Sequence, residues 1–256
     1  MLDAQLHDAI LELRLARPPV NALNPALVAT LRDAVIGAPG RGARAIVLSG
    51  NPGLFSAGLD VPSLLALDRA GMAAFWRDFI GLLGALGRSP LPIAAAITGH
   101  SPAGGAVLAL FCDWRVMARA VEPAKPFRIG LNEVQVGLSV PWPIQFALRR
   151  LVGAHRAERM MVAGAMVDSE EALRTGFVDE LTDVDQVVPR AHAWCRQHLA
   201  LPQEAMAETR RMARSDLHEA LDRAQNTSDD EFMARWFSDE SQSVLKALVA
   251  KLKSKA

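Results

Sequence analysis

The 256-residue chain has only two cysteines, Cys112 and Cys195, and neither belongs to a CxxC pair. That argues against a disulfide framework and for a reducing, cytoplasmic setting. Net charge is missing too: 28 Lys and Arg offset 28 Asp and Glu. The basic footprint of a nucleic-acid binder is therefore absent, although a small anionic ligand remains compatible with local charge. No long apolar run is unbroken. The most apolar stretch, 93–97 with 107–111 close behind, is interrupted by the Gly- and Pro-containing segment 99–105, so no membrane span is expected. The N-terminus alternates polar and apolar residues and lacks the basic start and long apolar run of a secretory signal. No Gly-Lys-Ser/Thr closes a glycine-rich turn, which disfavours a phosphate loop. The six histidines show no HExxH and no Cys/His ligand spacing. His192 and His198, the one close pair, lack zinc-site spacing as well, so no metal site is expected.

What the chain does contain is ample apolar material, half of all residues, enough for a sizeable core. The segment 9–15 alternates with period two and reads as a strand. A helix is expected over 25–35, with Asn24 as N-cap and Pro25 at its first position. Short continuously apolar runs at 44–49 and 92–98 read as strands of a buried sheet, and 114–118 as another. Helices are expected over 64–86 and 103–112. Strands alternating with helices at these spacings suit a parallel sheet with crossovers, an α/β fold. From about residue 196 the composition turns to Ala, Glu, Arg, Leu and Lys, which predicts a helical tail. The division expected is a core over 1–195 and a helical region over 196–256.

Two glycine-bearing turns stand between a buried strand and a helix. In Phe55-Ser56-Ala57-Gly58-Leu59-Asp60, Gly58 permits positive φ or close backbone approach. Asp60 and Ser63 are good caps, and a Leu59 N–H left free at a helix start would suit a developing oxyanion. In Gly99-His100-Ser101-Pro102-Ala103-Gly104-Gly105, the Gly104 N–H stands at the start of an apolar helix. Each turn by itself also reads as an ordinary packing turn.

Taken in order, FSAGLD, GHSPAGGAVLALFCDWRVMA, IGLNEVQVGL and GAHRAERMMVAGAMVDSEEALRTGFVDEL resemble the crotonase (enoyl-CoA hydratase/isomerase) superfamily over most of residues 10–182. The resemblance implies a spiral core of ββα units and a C-terminal helical region that builds trimers or hexamers. It implies acyl-coenzyme A thioesters as substrates, with coenzyme A part of the substrate and no separate cofactor. It assigns the oxyanion donors to Leu59 and Gly104, and adenine binding to the main chain around Ser56 and Ala57 with the segment near Val20. Hydratases of the family use two glutamates. The position of one is Val107 here, and the other is retained as Glu133. One base suffices to move a double bond, and Ser-Pro-Ala-Gly-Gly, Gly-Leu-Asn-Glu-Val-Gln and the glycine-free SVPWPIQFALRR are similar to 3,2-trans-enoyl-CoA isomerases, enzymes of fatty-acid β-oxidation. Burial beside Leu131, Val134, Val136 and Leu138 is expected to raise the Glu133 pKa.

Other residues carry alternatives. His100 is the candidate for a relocated acid in a hydratase, against a packing role. Trp76, Phe79, Ile80 and Leu83 recur at helical spacing and suit either an acyl pocket, with Val107 and Val136, or plain core. Asp113 and Arg115 read as a structural polar pair, Asp60 as a cap, and Arg156 and Arg159 as a helix face. Lys246, Lys251, Lys253 and Lys255 suit either coenzyme A phosphates or a solvated helix end. A non-catalytic acyl-CoA-binding protein is the alternative from outside enzymology, against which the retained Glu133 speaks.

Overall fold

The computed structural model describes residues 1–122, 124–226 and 230–254. The chain opens on a hairpin of β1 (Leu2–His7) and β2 (Ile10–Leu15), then enters α1 (Pro25–Gly37). Asn24 caps that helix by accepting from the Leu27 N–H at 2.9 Å, as expected. Next come β3 (Ala45–Ser49), β4 (Gly53–Leu54), α2 (Val61–Leu65) and α3 (Arg69–Arg88). The single helix expected over 64–86 is thus two. Asp68 breaks it, because its carboxylate accepts from the Gly71 N–H at 2.7 Å and starts α3 anew. The middle of the chain runs through β5 (Ile93–Ile97), β6 (Gly99–Pro102), α4 (Gly104–Leu110), β7 (Trp114–Ala118) and β8 (Arg128–Gly130). After a 3₁₀ turn at Glu133–Val136 follow α5 (Trp142–Val152), α6 (Ala154–Val162), β9 (Val167–Asp168), α7 (Ser169–Thr175) and β10 (Glu180–Thr182). Helices α8 (Val187–Leu199), α9 (Gln203–Ala213), α10 (Ser215–Asn226), α11 (Asp230–Trp236) and α12 (Asp239–Lys253) complete the chain, so the tail is helical as its composition predicts.

The six-stranded sheet has the order β1-β2-β3-β5-β7-β10, parallel except for the β1 edge. Strands β3 and β5 are buried along their whole length, which explains their unbroken apolar sequence. A second sheet, β4-β6-β8-β9, is made of very short strands. Each long strand β3, β5 and β7 is followed by one of these short ones, and β3 and β5 then lead on into a helix. The core is therefore the expected spiral of strand–strand–helix units. The short strands were not anticipated. Two to four residues carry too little alternation to be read, and Gly99–Pro102 looks like a turn. Its pairing is nonetheless close. A Cβ on Gly99 would stand 1.9 Å from the carbonyl carbon of Gly53, so only glycine fits there.

The tail is tied down by one buried carboxylate. Asp113 accepts from the Arg210 guanidinium at 2.8 and 2.9 Å, from Arg214, and from the Ile93 N–H at 2.7 Å. Burial opposes its ionisation, but Arg214 and Arg210 outweigh that and hold its pKa below the ordinary value. Asp113 and Arg115 are both structural, but not as a pair: Arg115 binds Asp179 instead, at 2.7 Å. Cys112 and Cys195 are free and buried, and burial pushes both thiols up to about 12.

Candidate active site

The register of the second sheet brings the two glycine turns together. Strands β4 and β6 run parallel, with Gly53 opposite Gly99 and Leu54 opposite His100. Five residues beyond each member of that first pair stand Gly58 and Gly104. The turns consequently touch: a Cβ on Gly58 would lie 3.2 Å from the Gly104 nitrogen, and one on Gly104 would lie 3.3 Å from the Leu59 nitrogen. Gly58 has φ +87, a conformation in which a side chain is strained. Ala103 holds φ 44 and ψ −117 just ahead of α4, a strained state costing on the order of 1–3 kcal/mol. Its own N–H is anchored to the Gly130 carbonyl at 2.8 Å. Among the described residues, neither the Leu59 nor the Gly104 N–H donates to any carbonyl or side chain.

The first turn is clamped from beneath by the segment after β2. Leu23 N–H donates to the Gly58 carbonyl at 2.8 Å, Asp60 N–H to the Leu23 carbonyl at 3.0 Å and Ala57 N–H to the Val20 carbonyl at 3.0 Å. The Asn21 amide donates to the Phe55 carbonyl, and the Ser56 hydroxyl donates to the Asn21 carbonyl. Asp60 caps α2 through Ser63 and pairs with Arg17 at 2.6 Å, so both its oxygens are engaged. The cap reading of Asp60 therefore holds.

Glu133 arrives by the same logic. Strand β8 pairs with β6, Pro102 opposite Gly130, and Glu133 begins the 3₁₀ turn three residues on. Its Oε2 is sealed from solvent and has no partner among the described residues, and the same is true of the Asn132 side-chain oxygen. Desolvation pushes the Glu133 carboxyl up to about 7, against a small lowering by its own backbone N–H. This is the direction expected from its neighbours.

Leu59, Gly104 and Glu133 open into one cavity of about 590 Å³, whose lining also includes Val20, Ala57, Trp76, Val107 and Val136. Ser56 is the exception among the residues named from the sequence. It is fully buried below the turn, and its hydroxyl is spent on Asn21 and on the Gly58 N–H. Its role is to shape the turn. His100 is corrected as well. It is exposed on β6, its Nδ1 accepts from the Arg128 N–H at 3.2 Å, and its ring meets Phe127 edge-on. It does not line the cavity, so the relocated-acid role has no geometric basis. Of the helical apolar series, Trp76 and Phe79 reach the cavity, whereas Ile80 borders a neighbouring hollow and Leu83 is core.

The roof went unread. Phe232, Trp236, Leu248 and Leu252 line the cavity from the tail, with Phe232 stacked on Trp76 at 3.5 Å between centroids. Only the Trp and Phe content of 232–237 could have flagged this, and nothing in it names the cavity as partner. Lys246 and Lys251 are exposed on α12. The side chain of Lys253 and the whole of Lys255 lie outside the described residues. Arg156 and Arg159 are exposed on α6, as expected of a helix face.

Comparison with known proteins matches residues 5–255 to the family model described as enoyl-CoA hydratase/isomerase. Mitochondrial enoyl-CoA delta isomerase 1 of Mus musculus is 32% identical over 248 residues, covering 95% of this chain and 83% of that protein. A probable enoyl-CoA hydratase, EchA17, of Mycobacterium avium is 34% identical over 199 residues, covering 76% of this chain and 74% of its own. The crystal structure of the human mitochondrial delta3-delta2-enoyl-CoA isomerase superposes with a TM-score of 0.92 at 28% identity, over 99% of this chain and 98% of that one.

Proposed function

The chain belongs to the enoyl-CoA hydratase/isomerase family, and from that premise we propose that it shifts the double bond of 3-enoyl-CoA thioesters to the trans-2 position. The observation that carries this reading is the solitary carboxylate. Among the described residues, two carboxylate side chains border the cavity; Asp60 is fully committed to Arg17 and Ser63, and only Glu133 has an oxygen to spare. Val107, at the position the family resemblance gives to a second glutamate, is 1% exposed.

The chemistry follows from the placement. The thioester carbonyl oxygen accepts from the Leu59 and Gly104 N–H groups. Glu133 takes a proton from C2. Negative charge spreads through the dienolate onto the oxygen, where main-chain donors stabilise it without reorganising. The protonated Glu133 then delivers that proton to C4 from the same face. A carboxyl with a pKa near 7 is well matched to both halves of this cycle, because base strength and acid strength are balanced at working pH. Adding water would require a second group to hold and activate the nucleophile, and Val107 offers none. The acyl chain runs under Trp76 and Phe232, and the adenine side of coenzyme A lies toward Val20 and Ala57. A place in fatty-acid β-oxidation, assembly into trimers or hexamers and a cytoplasmic site belong to the same proposal. No helix among the described residues is long and apolar enough to cross a membrane.

NMR in deuterated water separates the possibilities. A 3-enoyl-CoA thioester should convert to the trans-2 product, with much of the C2 proton carried to C4 and little deuterium incorporated. A trans-2-enoyl-CoA thioester should not be hydrated. Efficient formation of a 3-hydroxyacyl thioester would move the assignment to the hydratases. Tight binding with no turnover of either would leave an acyl-CoA-binding protein.

A further inference from the structure

The outer side of the six-stranded sheet, away from the cavity, carries a second assembly of chemically active groups. In the β1–β2 hairpin, His7 is opposite Ile10, Gln5 opposite Glu12 and Asp3 opposite Arg14. Paired residues of antiparallel strands share a face, so all six lie on the side of Ile10, which packs in the apolar cluster of Val187, Ala191 and Cys195 on α8. Packing of α8 against that cluster carries His192, next to Ala191, over Glu12. Two histidines 185 positions apart in sequence thereby meet one glutamate.

Their atoms converge. His192 Nε2 lies 3.3 Å from Glu12 Oε2, and His7 Nε2 lies 3.7 Å from the same oxygen. The three ligand atoms all fall within 4.8 Å of one another. A tetrahedral zinc ion bound at about 2.0–2.1 Å needs its ligand atoms roughly 3.3–3.5 Å apart; the set spreads over as much as 4.8 Å, so His7 must swing inward to complete it. That side chain is 49% exposed and has room to do so. The other carboxylate oxygen, Oε1, accepts from the Ser49 hydroxyl at 2.7 Å. Such an outer partner fixes the carboxylate and leaves Oε2 turned toward the imidazoles. Arg14, the nearby cation on this face, is tied to Asp3 at 2.6 Å. A surface hollow of about 250 Å³, lined by Asp3, Gln5, His7, Glu12 and Arg14, gives an entry path and space for a water ligand.

We propose that His7, Glu12 and His192 bind a divalent transition-metal ion of the zinc class, through two imidazole nitrogens and one carboxylate oxygen with water in the fourth position. None of these residues lines the catalytic cavity. The ion is structural: it pins the edge hairpin to α8.

The test uses the untagged full chain freed of metal with a chelator. Zn²⁺ titrated against a chromogenic competitor should bind at one ion per chain, Co²⁺ should show the visible absorption of a four-coordinate site, and Zn²⁺ should raise the Tm without changing isomerase turnover. His7→Gln, at an exposed position that leaves folding intact, and His192→Gln should each weaken Zn²⁺ by about tenfold or more, the size reached when even an outer partner is lost. His198→Gln should not. Absence of Zn²⁺ binding to the parent, or equal affinities in His7→Gln and His198→Gln, would overturn the site.

Discussion

The floor of the catalytic cavity and its roof are built from different materials. The floor is main chain plus one carboxylate: Leu59, Gly104 and Glu133 leave successive short strands β4, β6 and β8 whose pairing sets their relative height. The roof is side chain: Trp76 from α3, and Phe232, Trp236, Leu248 and Leu252 from the tail. Hydrogen-bond register places an N–H within fractions of an ångström, as an oxyanion donor must be placed. Aromatic packing tolerates larger shifts, which suits a surface that only has to exclude water and accept a chain. On the proposed function, the floor answers for the reaction and the roof for which thioester enters.

The sharpest way to break this contrast is Glu133→Gln. On our reading it lowers kcat by about 10²–10⁴-fold, the usual range for a lost general base, with KM nearly unchanged. In the parent, kcat/KM should fall on acidification through about pH 7, since the protonated carboxyl cannot accept the C2 proton; the variant should lose that dependence. Steady-state kinetics from pH 5.5 to 8.5 check both, and an unaltered kcat removes the base from the mechanism. Next in size, Asp113→Ala attacks the roof at its anchorage. It leaves Arg210 and Arg214 without their carboxylate, and removing one partner of a buried pair costs about 3–5 kcal/mol. Urea denaturation measures it, and a loss under 1 kcal/mol would show that the other ties of the tail, such as Arg150 to Asp216 and the Ser241 hydroxyl to the Gly137 carbonyl, together with apolar packing, hold it without Asp113.

Gly58→Ala returns to the floor. The added methyl meets Gly104 N and Ala103 at 3.2 Å in a positive-φ turn. Displacing one oxyanion donor should cost about 10²–10³-fold in kcat, with secondary structure intact by circular dichroism. Phe232→Ala has the smallest effect. It removes the ring stacked on Trp76, a pair worth about 0.5–1.5 kcal/mol. KM should rise about two- to tenfold for long acyl chains, and kcat for short ones should hold. An equal change for all chain lengths would mean that the ring supports the fold and does not contact the acyl group.

The floor residues were singled out through the family resemblance, since each glycine turn alone also reads as a packing turn. Gly58 and Gly104 betray a close approach by their lack of a side chain, and Glu133 sits inside a short motif. The strands expected over 44–49 and 92–98 from their apolar runs, and over 114–118, are present as β3, β5 and β7. What could not be read was pairing. Strands of two to four residues leave no period, so β4, β6 and β8 were invisible although they bring Leu59, Gly104 and Glu133 to one cavity. His100 illustrates the consequence. It lies four residues from Gly104, yet strand alternation turns it outward to Arg128 and Phe127. Ser56 itself lies buried beneath the turn, where its hydroxyl holds Asn21 and the Gly58 N–H.

By itself, then, the sequence determined the class of fold and, through the family resemblance, singled out the two glycine turns, Glu133 and Val107 as candidates, because each lies in a motif of a few positions. Tertiary structure alone decided which groups share a space: the tail as roof, His100 outside, and His7 with His192 around Glu12. Those outcomes depend on sheet register and helix docking, which join residues up to 185 positions apart, and no local pattern encodes a distance of that kind.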